Sequence, residues 1–336
     1  MFGRRTGKTR ARASGAALTT CLLVAVAAGC GGAGGSSASS GSGWQPNRGV
    51  TIVVPYAPGG GSDVFGRALG QGIEETRSDV NVKVVNKAGG SGTVGYSFFY
   101  SQRGDAHYLL PSETAAVVLP LTTEVPWTWS DFTPIMQIAE DAIMLVVPAD
   151  SPYKSLQDIN QAAKQGKKLR ISTSGATGVD TIVTNLWERE AGVSFRKVAF
   201  GSGGEIVAAL LGGAVEMGML NLSEVIGQVK AGKLRPIAVF AEDRYERPPL
   251  GDVPTAKEQG VDVTFTQYRG VFAPPGLDDD EISYWVETVT AWTKTEGYKQ
   301  GYIEANFLKP VQRKHEEFIS YLKDYEQTVK SVLEQQ

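Results

Sequence analysis

The chain has 336 residues, 42% of them hydrophobic and 21% charged, and its 33 Lys and Arg stand against 36 Asp and Glu for a formal net charge of −3. That length suffices for one large or two ordinary domains, and the lack of a basic excess argues against nucleic acid as a partner. With only two histidines, His107 and His315, far apart and in no ligand-spaced motif, no metal and no cofactor are expected.

At the N-terminus, Arg4, Arg5, Lys8, Arg10 and Arg12 precede the apolar stretch ALTTCLLVAVAAG, which is too short to span a bilayer comfortably. Residues 1–29 are therefore expected to be a secretory signal peptide. It ends in VAAGC, which resembles the lipobox of bacterial lipoproteins, and the resemblance implies lipidation of Cys30 as the first mature residue; ordinary cleavage near Ala28 is the alternative. Export by the general secretory or the twin-arginine route is left open by the Arg4–Arg5 pair. Residues 30–47, with GGAGGSSASSGSG, read as the lipidated cysteine and a flexible spacer. Cys21 falls in the signal, so the folded domain has no thiol for a disulfide, a nucleophile or a Cys-based metal site. Loss of five positive charges with the signal leaves 28 Lys and Arg against 36 Asp and Glu, a mature balance of −8.

From Gly49 onward, short β-branched runs alternate with amphipathic segments, the pattern of βαβ units around buried parallel strands. VTIVVPY is the first strand, and SDVFGRALGQGI a helix with Val64, Phe65, Ala68, Leu69 and Ile73 on one face. VNVKVVN, the stretch around VGYSFFYSQ and HYLLP read as strand, helix and strand. AIMLVVPADSPYKSLQDINQAAKQG reads as a long strand, a turn, and a helix whose Ser155 and Asp158 are spaced as a capping box. This segment is expected to cross into a second lobe. LRISTS, VDTIVTNLWEREAG, FRKVAF, EIVAALLGG, EMGMLNL, SEVIGQVKAG and LRPIAVFA continue it as alternating strands and helices. VTFTQYRGVFAPPG should return the chain to the first lobe, which two terminal helices complete. Ile282, Trp285, Val286, Val289 and Trp292 share a face of one, and Phe318, Leu322, Tyr325, Val329 and Val332 share a face of the other. The division is thus 48–143 plus 241–336 for lobe 1 and 144–240 for lobe 2.

Four strands end in glycine-rich loops that open helices: YAPGGGSD, NKAGGSGTVG, STSGATGVD and FGSGGE. Glycine lets a ligand approach the main chain, and free N–H groups at a helix N-terminus favour an anion. In open α/β sheets, ligands bind beyond the carboxyl ends of the strands, where these loops lie. Enzyme readings fare poorly. GSGTVG matches G-x-G-x-x-G, with Glu113 about 20 residues on, but it follows the second strand rather than the first. GGGSD lacks the lysine of a P-loop, no G-x-S-x-G occurs, and histidine is scarce for a serine triad.

From VPYAPGGGSD onward the sequence resembles the substrate-binding receptors of tripartite tricarboxylate transporters, the Bug family. NKAGGSGTVG, LVVPADSPYKSLQDI, STSGATG, ALLGGAVEMGMLN, VKAGKLRPIAV, DVPTAKEQG and YRGVFAPPG follow in the family's order. The resemblance implies an α/β, type II periplasmic-binding-protein fold with crossing hinge strands, and no enzyme. It also implies a small carboxylate ligand, whether di- or tricarboxylate, amino acid or aromatic acid, held mainly by loop main chain and ordered waters rather than by an arginine clamp; the hydroxyls of the loop serines and threonines can donate as well. Carried over by position, the first loop offers Tyr56, Ala57, Gly59, Gly60, Gly61, Ser62 and Asp63, and the second Gly90, Ser91 and Thr93. Thr173, Ser174, Thr177, Phe200, Ser202 and Asn221 follow from the second lobe. Asp63 would repel an anion and is read as an N-terminal stabiliser that can also hold water. Arg269 is expected to pair with a distal carboxylate if it reaches the cleft. Glu113 would favour a ligand with an amine or hydroxyl, so the two residues point in opposite directions. The implied partner is a two-component integral membrane permease, served by a monomeric lipoprotein on the outer face of the cytoplasmic membrane; a receptor presenting ligand to a signalling partner is the alternative.

Overall fold

The computed structural model describes residues 43–175 and 178–334. The signal, Cys30, most of the spacer and Thr177 lie outside the described residues. The first parallel set is built as the periodicity predicts: β1 (Val50–Val54), α1 (Gly61–Thr76), β2 (Val82–Asn86), α2 (Thr93–Tyr100) and β3 (Tyr108–Ser112) follow in order. β1 pairs in parallel with both β2 and β3. Phe65, Leu69 and Ile73 turn α1 toward the core, while Val64 is exposed. A short helix, α3 (Ala115–Thr122), then leads to the 16-residue strand β4 (Thr133–Pro148).

The second parallel set follows a helix α4 (Leu156–Lys164) whose capping box between Ser155 and Asp158 is formed as expected. It comprises β5 (Arg170–Thr173), α5 (Val179–Ala191), β6 (Arg196–Ala199), α6 (Gly203–Leu211), β7 (Met217–Asn221), α7 (Leu222–Lys230) and β8 (Leu234–Val239). β5 pairs in parallel with β6 and β7. The chain returns through β9 (Thr266–Ala273) to α8 (Asp279–Trp292), a π-helical turn at Gly297–Glu304, β10 (Lys309–Lys314) and α9 (His315–Leu333).

The strand order is β2-β1-β3-β9-β4-β7-β5-β6, with β8 and β10 also paired to β4. β4 joins the two parallel sets. Its first part, from Thr133 to Ala142, pairs antiparallel with β9, and its second part, from Ile143 onward, pairs with β7 and β8. Each set therefore keeps its own parallel strands, and their glycine loops open at the carboxyl ends. The terminal helices close the core: Phe318, Leu322, Tyr325, Val329 and Val332 are all buried, and Trp285, Val289 and Trp292 seal α8 against α1. Ile282 and Val286, on the predicted stripe, are only half-buried; Tyr284 and Thr288 take the inner positions instead.

Candidate ligand-binding cleft

The glycine loops of both parallel sets line one cavity of about 380 Å³, within the usual range for small-molecule sites. Its wall contains Tyr56, Ala57, Gly60, Gly61, Ser62, Gly90, Ser91, Glu113, Ser174, Phe200, Ser202, Asn221 and Arg269. Gly59, Asp63, Thr93 and Thr173 are not among the described residues lining it. Gly175, Gly178, Asp180, Gly203, Met219, Glu224 and Gln267 also line the wall and are not among the residues expected from the sequence.

Each loop is locally fixed, which leaves its outer amides presented. In the first, Gly60 caps α1 with its carbonyl, accepting from Asp63 and Val64, while the N–H groups of the opening turn have no partner within the helix. Burial alone would raise the Asp63 carboxyl, but bonds from Arg67, Asn86 and Gly59 hold it below the usual carboxylate range. Both carboxylate oxygens of Asp63 thus accept from the protein's own donors. In the second loop, Gly92 sits at φ 102°, and a Cβ there would lie 3.0 Å from the Tyr56 hydroxyl. Glycine is required by both backbone and space. Neighbouring Ser91 is held at φ 53°, a conformation few side-chain-bearing residues adopt.

In the second set, Ser202 accepts from the Glu205 amide as the cap of α6, and Glu205 accepts from the Gly201 amide at 2.8 Å. Ser174 donates its amide and hydroxyl to Asp180, at 2.5 and 2.6 Å. Burial pushes the Asp180 carboxyl up to about 6, against the pull of those bonds and of the Thr181 amide. These two serines therefore hold their own loops. Asn221 differs. It stands at the junction of β7 and α7, lines the cavity, and its buried side-chain NH₂ has no partner among the described residues.

The floor of the cavity is ionic. Arg269, on β9 and 2% exposed, donates from Nη1 to Glu113 Oε2 at 2.6 Å and from Nη2 to Asp141 Oδ2 at 2.5 Å. Glu113 Oε2 also accepts from Ser62 at 2.8 Å and Gln267 at 2.7 Å, and Asp141 from the Ser223 hydroxyl at 2.6 Å. Burial would lower the Arg269 pKa, but Asp141 and Glu113 raise it, so the guanidinium stays charged. The expectation that Glu113 and Arg269 pull in opposite directions is corrected here: they are partners. Arg269 reaches the cleft, yet both its outer nitrogens are committed to protein carboxylates rather than open to a ligand. The close fit is visible at Gly61, where a Cβ would stand 2.8 Å from Arg269 Nη2.

A third acid, Glu224 in the first turn of α7, lies where α1 and α6 begin. Its Oε1 is 3.5 Å from the Gly61 amide, and a Cβ on Gly203 would be 2.6 Å from its Cδ. Burial, with Asp141 and Glu113 adding to it and Arg269 opposing, pushes the Glu224 carboxyl up to about 7. In sequence Glu224 looks like any first-turn acid; only Gly203, four positions past the end of β6, hints that something presses there.

The model of the tripartite tricarboxylate transporter family receptor matches residues 66–336. The chain belongs to this family. The receptor is 31% identical over 235 residues to the "UPF0065 protein in gbd 5'region" of Cupriavidus necator, covering 69% of this chain and 71% of the relative. A TctC solute-binding protein from Polaromonas is 25% identical and superposes with a TM-score of 0.67 over 87% of this receptor and 99% of that chain. A protein of R. palustris whose structure holds adipate superposes with a TM-score of 0.80 at 23% identity, over 86% of this receptor and 97% of that chain. The fold is that of the periplasmic binding proteins, as the resemblance implied. The receptor is a solute-binding protein and not an enzyme. No helix among the described residues is long and apolar enough to cross a membrane.

Proposed function

We propose that this receptor captures a small carboxylate in the cleft and hands it to a two-component membrane permease. The observation that carries this reading is the meeting, in one cavity, of the N-terminal turns of α1 and α6 with the glycine loop before α2. Free amides and aligned helix dipoles make that arrangement a carboxylate cradle. The adipate held by the R. palustris relative supports the same ligand class. With Glu113, Asp141 and Glu224 around a single arginine, the cleft disfavours a tricarboxylate. The two parallel sets act as lobes, 48–143 with 241–336 and 144–240, that close over the ligand about β4 and the return strand. Lipid on Cys30 tethers the receptor outside the cytoplasmic membrane, with residues 30–47 as the leash.

The test is thermal unfolding against a panel of mono- and dicarboxylates, amino acids and aromatic acids. A ligand at 100 times its Kd adds about 2.7 kcal/mol by mass action, which raises Tm by several degrees. A panel that leaves Tm unmoved removes the carboxylate reading.

A further inference from the structure

A ligand entering the cleft meets an uneven set of charges. Among the described residues lining the cavity, Arg269 is the only lysine or arginine, and it is held between Glu113 and Asp141. No lining cation remains for a second ligand carboxylate. Glu224 is the opposite case. It makes no ion pair among the described residues, and its one hydrogen bond, from the Gly61 amide at 3.5 Å, is at the long limit. Its carboxyl lies between α1 and α6 in the space a side chain on Gly203 would take, 2.6 Å from a Cβ there. The charged groups that act on it are Arg269 on β9, Asp141 on β4 and Glu113 beyond β3, so two of three repel its charge. The same wall carries the NH₂ of Asn221, which has no partner among the described residues and is a donor suited to a carboxylate oxygen.

We propose that the cleft selects ligands carrying an ammonium group beside their carboxylate, and that Glu224 is the specificity residue that accepts the ammonium. This rests on the carboxylate-receptor reading above. The helix N-termini and Asn221 hold the carboxylate, while Glu224 takes a charge-assisted hydrogen bond from the ammonium. A ligand with a second carboxylate in that place meets three acids instead, and a like charge in a partly desolvated pocket is strongly disfavoured. The chemical class is therefore amino acids and other amine-bearing acids. The ammonium binds the ionised form of Glu224, whose carboxyl is raised to about 7 by burial. Affinity for such a ligand accordingly rises as pH climbs toward about 7 and then levels off, with proton release on binding.

Calorimetry with matched pairs, glutarate against glutamate and butyrate against 4-aminobutyrate, tests this on the mature receptor and on Glu224→Gln. In at least one pair the aminated member is expected to bind tenfold or more tightly than its partner, with Glu224→Gln reducing that ratio to near one. Retained binding of the unaminated acid shows that the variant is folded. Tighter binding of the unaminated member in every pair that binds, or a preference for the amine that survives in Glu224→Gln, overturns the inference while leaving the carboxylate reading intact. If no member of any pair binds while an unaminated carboxylate of the wider panel raises Tm, the inference falls and the carboxylate reading stands; if no carboxylate of the panel does either, both fall.

Discussion

Replacing Arg269 by Met removes the cation that holds two buried carboxylates, Glu113 at 2.6 Å and Asp141 at 2.5 Å. Methionine is of comparable length, so the packing loss is small and the electrostatic loss dominates. Removing one partner of a buried pair costs about 3–5 kcal/mol, because the remaining charge stays desolvated. For a domain of this size that lowers Tm by on the order of 10 °C. The cost should be recovered when the charges are removed together. In Arg269→Met combined with Glu113→Gln and Asp141→Asn, the amides still accept from Ser62, Gln267 and Ser223, and stability should return to within about 2 kcal/mol of wild type. Urea unfolding, with midpoints read at constant slope, gives these differences directly. A single variant that loses less than about 1 kcal/mol, or a triple variant no better than the single, would refute the assignment of Arg269 as the protein's own counter-ion and return it to the ligand.

Glu224→Gln should also reveal its raised carboxyl in stability alone. The folded receptor binds this proton more tightly than the unfolded chain, so the wild type loses stability as pH rises from 4.5 to about 7, while the variant does not. The variant should gain on wild type by up to about 3 kcal/mol across that window; parallel stability profiles contradict it. Gly72→Ala places a Cβ 2.2 Å from Trp292 Cδ1 and should cost about 1–3 kcal/mol through overpacking between α1 and α8, which a drop in Tm registers. Cys30→Ala should move the receptor from the membrane to the soluble fraction of expressing cells; unchanged membrane retention counts against the lipid anchor.

What the sequence made legible follows from how local each signal is. The β-branched runs of β1 and β5, the apolar stripe of α9 and the Ser155–Asp158 box are all short-range patterns, and each lies where periodicity places it. The first half of β4 was hidden because Gln137, Glu140 and Asp141 interrupt its apolar run. Asp141 is tolerable in a buried strand only because Arg269, 128 residues away, neutralises it. α3 was hidden by Pro120, and β10 by its alternating charges at a partly exposed edge. In the cleft, the glycine loops were readable because backbone freedom is written in the residue type. The partners of Glu113 and Arg269 were not, since pairing across more than 150 residues leaves no local mark. The same holds for Glu224, whose neighbours Gly61 and Gly203 belong to two other helices.

A ligand carboxylate is expected to sit against the opening turn of α1. Gly60 offers the most direct probe, because a Cβ there meets nothing within 4 Å among the described residues and its φ of −86° suits any residue. Leucine at that position should fill the cleft without disturbing the fold. Calorimetry of wild type and Gly60→Leu with the tightest carboxylate of the panel is predicted to show saturable binding in the first and none in the second, at matched unfolding midpoints. Binding of equal strength in Gly60→Leu would contradict the account.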